Sequence, residues 1–188
     1  MKERGEIYDR HRSRIKHCSP TLAGIKTGNM FSCTFDNNEH MKESIRLYNR
    51  LLNKKGLRVL PLRQNENRTL VYIFRPEALK EDLCDGLACR ILKDRGYCVG
   101  KADKCVVHLI KRISELDAFP HEVGLFLGYP PEDVSGFICN KECKFSGLWK
   151  VYGDVNTAQE RFEQYRKCTE NFSRQLASGS TLESLCSQ

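Results

Sequence analysis

His121 and Glu122 are the residues of this chain best suited to chemistry, side by side in Phe119-Pro-His-Glu-Val-Gly-Leu-Phe-Leu-Gly-Tyr-Pro130. An imidazole exchanges protons near neutral pH, which makes His121 an acid–base candidate. Pro120 can open a helix, because the first helical position does not need its N–H. His121 and Glu122 would then lie at a helix N-terminus, where partial positive charge lowers a histidine's pKa and stabilises an anion. In that arrangement His121 is the acid–base group and Glu122 its orienter or a second base. The plainer alternative is that either side chain caps its own helix. Leu125 occupies the place where a His-Glu-x-x-His zinc motif needs its second histidine, so that motif is absent.

Two further stretches could supply binding groups. Gly24-Ile-Lys-Thr-Gly-Asn29 offers Lys26 and Asn29 on a glycine-bearing loop. Glycines let backbone approach a ligand closely, and a lysine neutralises an anion. The phosphate-loop pattern is not present, and a simple turn explains the same residues equally well. Trp149-Lys-Val-Tyr-Gly-Asp154 offers Lys150 and Asp154, with Asp154 also suited to cap the last helix. The expectation is one site for a small anionic ligand. Its catalytic candidates are His121 and Glu122, and its ligand-binding candidates are Lys26, Asn29, Lys150 and Asp154. No specific cofactor follows from these residues.

Composition narrows the class. The chain has 188 residues, 40% of them apolar, enough for a domain with a real core. No apolar run approaches a membrane span, and the charged opening Met1-Lys-Glu-Arg-Gly-Glu6 is not a secretory leader. A cytoplasmic protein is expected. Its ten cysteines are then reduced thiols. Cys139 and Cys143 form the closest pair, but no pair has zinc-finger spacing, so no metal site is expected. Formal net charge is +7, with much of the basic excess in residues 1–17. Such an arm can touch nucleic acid, but no interleaved aromatic pattern for base stacking accompanies it. The helix-corner-helix at 120–138 also argues against DNA. Its second helix would begin Pro131-Glu-Asp133, and carboxylates there repel phosphate.

The elements that must position these groups follow from periodicity. Residues 39–55 read as a helix with Met41, Ile45, Tyr48, Leu51 and Leu52 on one face. Residues 57–62 and 69–74 read as a β-hairpin, with a third strand near 30–35. Pro61 marks the first hairpin strand as an edge or a bulge. Pro76 starts a helix carrying Leu79, Leu83, Leu87 and Ile91, and a second helix buries Val106, Leu109 and Ile113. Two short helices meet at the Gly128-Tyr-Pro130 corner. A strand near 148–152 precedes a last helix reaching Leu176. The fold class is α+β, a small antiparallel sheet packed by several helices. The domain reading is a basic arm over 1–17, one domain over 18–176 and a flexible tail over 177–188.

Leu22-Ala-Gly-Ile-Lys-Thr-Gly-Asn-Met-Phe31, Phe119-Pro-His-Glu-Val-Gly-Leu-Phe-Leu-Gly-Tyr-Pro130, Glu132-Asp-Val134 and Trp149-Lys-Val-Tyr-Gly-Asp154 together resemble an uncharacterised bacterial domain-of-unknown-function family of anaerobic Gram-positive bacteria. The resemblance spans about Cys18 to Phe172. It implies a bacterial cytosolic protein and carries over no catalytic residue. Beside the ligand-binding reading stands a non-enzymatic one. In it, exposed cysteines, or the Tyr129-Pro-Pro131 corner with Trp149, dock a protein partner or serve redox exchange.

Overall fold

The computed structural model describes residues 16–65, 68–115 and 118–186. The basic arm therefore lies almost wholly outside the described residues. The described chain divides into two compact units, one running to Arg75 and resuming at Lys167, the other spanning Pro76–Arg166.

The first unit is built on an antiparallel sheet. Strands β1 (Gly28–Thr34), β2 (Arg58–Asn65) and β3 (Arg68–Phe74) lie in the order β1-β3-β2. Both Met30 and Leu60 face Tyr72 in register. The expected hairpin and third strand are present. As Pro61 predicts, β2 is an edge strand, and its register shifts between Pro61 and Arg63.

After a single turn of helix, α1 (Ser19–Leu22), the main helix of this unit is α2 (Asn38–Leu52). It starts where Asn37 accepts a hydrogen bond from the His40 N–H, satisfying a donor the helix cannot. The chain turns away at Gly56, whose φ of 68° suits a residue without a side chain. Met41, Ile45, Tyr48 and Leu52 recur at helical spacing and pack with Val59, Val71 and Ile73 of the sheet. Asn49 fastens the helix to the edge strand, donating to Val59 O and accepting from Val59 N. The segment read as a tail contains α9 (Leu182–Leu185), and Cys186 is buried in this same core.

The second unit is helical. Its helices are α3 (Pro76–Leu83), α4 (Gly86–Asp94), α5 (Ala102–Glu115), α6 (Val123–Phe126), α7 (Pro131–Ile138) and the first half of α8 (Val155–Ala177). The single helix expected from Pro76 to Ile91 is two. Asp85 accepts from the N–H groups of Leu87 and Ala88, so it caps a new helix and breaks the old one. The 120–128 segment also differs from expectation. Residues 121–122 form a turn, and only one turn of helix follows. Gly128 does adopt a positive φ of 74°, and Pro131 stands in the first turn of α7. A two-stranded ribbon, β4 (Phe145–Ser146) against β5 (Lys150–Val151), completes the unit.

Gly136 in the middle of α7 has a packing reason. A Cβ there would lie 2.3 Å from Cγ and 2.5 Å from Cβ of Tyr152. Tyr152 Cβ is fixed to its backbone and cannot swing clear. Gly136→Ala is expected to destabilise the protein by about 1–3 kcal/mol despite alanine's better helix propensity. Thermal unfolding checks this, since a propensity-dominated site would instead show a raised Tm.

Candidate functional site

The conspicuous stretches of the second unit are joined by Asp133, in the first turn of α7. Its side chain is buried. Oδ2 accepts from the Trp149 indole Nε1–H at 2.7 Å. Oδ1 accepts from the backbone N–H groups of Tyr152 and Gly153 at 2.7 and 2.8 Å. A buried carboxylate is tolerated when donors surround it, and three do so here. One side chain thus fixes the 149–153 loop on α7. From the sequence alone, Asp133 is only a carboxylate at the start of this helix, one that would repel phosphate.

Trp149, held in this way, stacks on Tyr129 with ring centres 4.8 Å apart and meets Phe162 edge-on at 4.4 Å. Beside it opens a cavity of about 450 Å³. Buried Trp149 and half-buried Tyr129 line its inner side. Phe119 and Phe137, 43% and 40% exposed, line the outer side. His121 borders the cavity and meets the Phe137 ring edge-on at 4.9 Å. Lys150 Nζ lies 5.6 Å from the centre of that same ring, a cation–π arrangement. The cavity wall is therefore largely aromatic and aliphatic, with a basic side chain and an imidazole among its exposed members; the Asp133 carboxylate also lines it, but its oxygens are already bonded to the three donors above.

Glu122 neighbours His121 in sequence but is wholly buried. Its Oε1 accepts from Arg112 Nε at 2.7 Å and from the Tyr97 hydroxyl at 3.0 Å. Its Oε2 faces Arg95 Nε at 3.5 Å, an ion pair rather than a good hydrogen bond. Burial, reinforced by the Glu122 charge, pushes the Tyr97 phenol far above its ordinary pKa, so it stays a donor. His108 stacks on the Tyr97 ring at 4.3 Å. Arg95 and Arg112 were not singled out from the sequence. Arg112 carried a signal: it stands seven residues after Cys105 and three after Leu109, on the buried stripe of α5.

The six residues named from the sequence are placed as follows. His121 and Lys150 border the aromatic cavity. Glu122 is engaged with Tyr97, Arg95 and Arg112. Asp154 is exposed and caps α8, its Oδ1 accepting from Thr157 N, and that backbone bond holds its pKa low. It borders a second cavity of about 370 Å³, shared with Glu81, Asp82, Asp85 and Glu132. Lys26 and Asn29 belong to the first unit. Lys26 Nζ donates to Gly28 O at 2.6 Å and to Asn29 Oδ1 at 2.5 Å, while Asn29 Nδ2 donates to His17 O. Burial pulls Lys26 down to about 8 and pushes the neighbouring Cys18 thiol up to about 12.

All ten cysteines are free thiols. Cys84, Cys98, Cys139 and Cys143 are exposed. Among the described residues, no group of three or more His, Cys, Asp or Glu is placed to hold a metal ion, and no helix is long and apolar enough to cross a membrane.

The hallmark segments that carried the sequence resemblance all lie within the residues matched by a family described as protein of unknown function, DUF3793, over residues 15–186. The chain belongs to that family. No curated protein and no solved structure matches it. Membership in the DUF3793 family spans both units of the chain and assigns no chemistry to either, so function must be argued from the geometry above.

Proposed function

We propose that the Pro76–Arg166 unit is a small-molecule binding domain whose ligand is flat, largely apolar and carries an anionic group. The observation that carries this reading is the aromatic cavity beside Trp149, with Lys150 and His121 at its edge. Its volume of about 450 Å³ falls within the range of roughly 300–1,000 Å³ usual for small-ligand sites. Aromatic walls favour a planar body, and Lys150 supplies the counter-charge. His121 is the group available to exchange a proton with the occupant. Glu122, committed to two arginines, serves as an anchor for the 119–123 segment rather than as a second base. Lys26 and Asn29, bonded to each other and to backbone, are read as a loop clasp, and Asp154 as a helix cap. The docking alternative loses one of its contacts, because Trp149 is buried rather than displayed.

Trp149 is the chain's single tryptophan and lines the cavity, so its fluorescence reports occupancy. The probe is 8-anilinonaphthalene-1-sulfonate, a flat aromatic anion. Titration is expected to quench Trp149 saturably at one site. Lys150→Glu should weaken binding about tenfold, equivalent to about 1.4 kcal/mol. Non-saturating quenching, or equal affinity in Lys150→Glu and Phe137→Ser, would sink the proposal.

A further inference from the structure

We propose that Arg95 and Arg112, set by Glu122, form a second binding site, adjoining the aromatic cavity along Phe119–His121, that takes a phosphate group. The two guanidiniums meet one carboxylate through their Nε atoms, at 3.5 and 2.7 Å. Two positive charges against one negative leave the cluster at +1. Each arginine retains its Nη edge, and among the described residues neither edge meets another acceptor. Both side chains are partly open, at 30% and 26%, whereas Glu122 is 1% exposed. The charge that orders the arginines is buried, while both arginine side chains stay partly open and border a cavity.

A small cavity of about 190 Å³ lies at this point, bordered by both arginines, Glu122, His121, Phe119 and Pro120. It is below the range of roughly 300–1,000 Å³ for drug-sized ligands, so it suits a single functional group rather than a whole molecule. Phe119 and Pro120 contribute apolar wall, and a low local dielectric strengthens any ion pair made there. Guanidinium edges donate only, in a planar fork that matches oxyanions two bonds at a time. Two forks offer more donors than one carboxylate can accept, whereas the oxygens of a phosphate can take both. The side chains need little ordering on binding because Glu122 has already fixed them, and preorganisation of this kind favours affinity.

The source of the phosphate is either the free ion or the phosphoryl group of a larger molecule. The test is calorimetric titration of the full chain with inorganic phosphate and with phenyl phosphate, at constant ionic strength against chloride. One saturable site sensitive to Arg95 and insensitive to Lys150→Glu is expected for both. Tighter binding of phenyl phosphate that is lost in Arg95→Gln and kept in Lys150→Glu would assign the site to a phosphorylated metabolite, and equal binding would assign it to the free ion. Arg95→Gln should weaken binding about tenfold or more, and Arg95→Lys, which keeps the charge but not the fork, by less. Arg95 makes the longer of the two contacts with Glu122, so these variants should keep the fold, which circular dichroism checks. Absence of phosphate binding, or affinity unchanged in folded Arg95→Gln, overturns the proposal. Lys150 and Phe137 do not border this cavity, so that failure would leave the aromatic site standing.

Discussion

Asp133→Ala lowers the stability of the protein by about 3–5 kcal/mol, the cost of taking a buried charged acceptor away from one buried and two part-buried donors. Three donors are affected: the Trp149 indole and the backbone N–H groups of Tyr152 and Gly153. Urea unfolding followed by Trp149 emission measures the loss, and the native emission itself should shift as the indole N–H loses its partner. Asp133→Asn separates the parts of the effect. Its remaining oxygen can serve the two backbone N–H groups, but its amide then points N–H at N–H towards Trp149. The expected cost is about 2 kcal/mol. Trp149→Phe removes the indole donor and leaves the backbone pair intact; with no tryptophan left, its unfolding, and that of Asp133→Ala for the comparison, is followed by circular dichroism. If Asp133→Ala were no worse than Trp149→Phe, the carboxylate would matter only through the indole and would not be the fastening of the 149–153 loop. Because that loop carries Trp149 and Lys150 into the aromatic cavity, Asp133→Ala should also abolish saturable quenching by the anionic probe.

Periodicity made the first unit readable. Met41, Ile45, Tyr48 and Leu52 could be assigned to one helix face because burial selects a stripe, and Pro61 marked a strand edge because it cannot donate to a sheet. The same logic failed at residues 76–94, where Leu79, Leu83, Leu87 and Ile91 keep helical spacing across a real break. The break is made by Asp85, a polar residue whose capping competes with helix continuation, and apolar periodicity does not register it. The candidate site shows the same division. His121 and Lys150 were legible because their types announce chemistry. Asp133 and Arg95 were not, and Arg112 showed no more than its place on a buried stripe, because their importance comes from partners 16 to 20 or 10 to 27 residues away. A charged side chain reads as surface until its partner is known, and one sequence does not pair them. Glu122 illustrates the hazard. Adjacency to His121 invites a catalytic pairing, yet the carboxylate is spoken for by Arg112, Arg95 and Tyr97.

Glu122→Gln gives the second large effect. The substitution keeps the shape and removes the charge, leaving two guanidiniums close together with no other carboxylate paired to them among the described residues. Removing one partner from a fully buried ion pair costs about 3–5 kcal/mol; here both arginines are partly open, so solvent screens part of the charge left behind and the expected cost is about 2–3 kcal/mol. Tyr97→Phe removes only a neutral donor to the same oxygen and should cost about 1 kcal/mol. Chemical denaturation of the two variants therefore distinguishes a charge-balancing Glu122 from one that simply fills space, which would give similar small losses in both. An anion adds a sharper comparison. If the Nη edges of Arg95 and Arg112 hold phosphate, Glu122→Gln should gain more stability from added phosphate than the native protein does. In the variant, the bound anion must neutralise both guanidiniums, not the single excess charge left over in the native cluster. A ligand at free concentration L that binds only the folded state stabilises it by RT ln(1 + L/Kd), so the gain should rise with phosphate and be absent with chloride at equal ionic strength. Equal effects of the two salts on Glu122→Gln would mean that the arginines respond to ionic strength alone, and that Glu122 balances a charged core with no anion site attached.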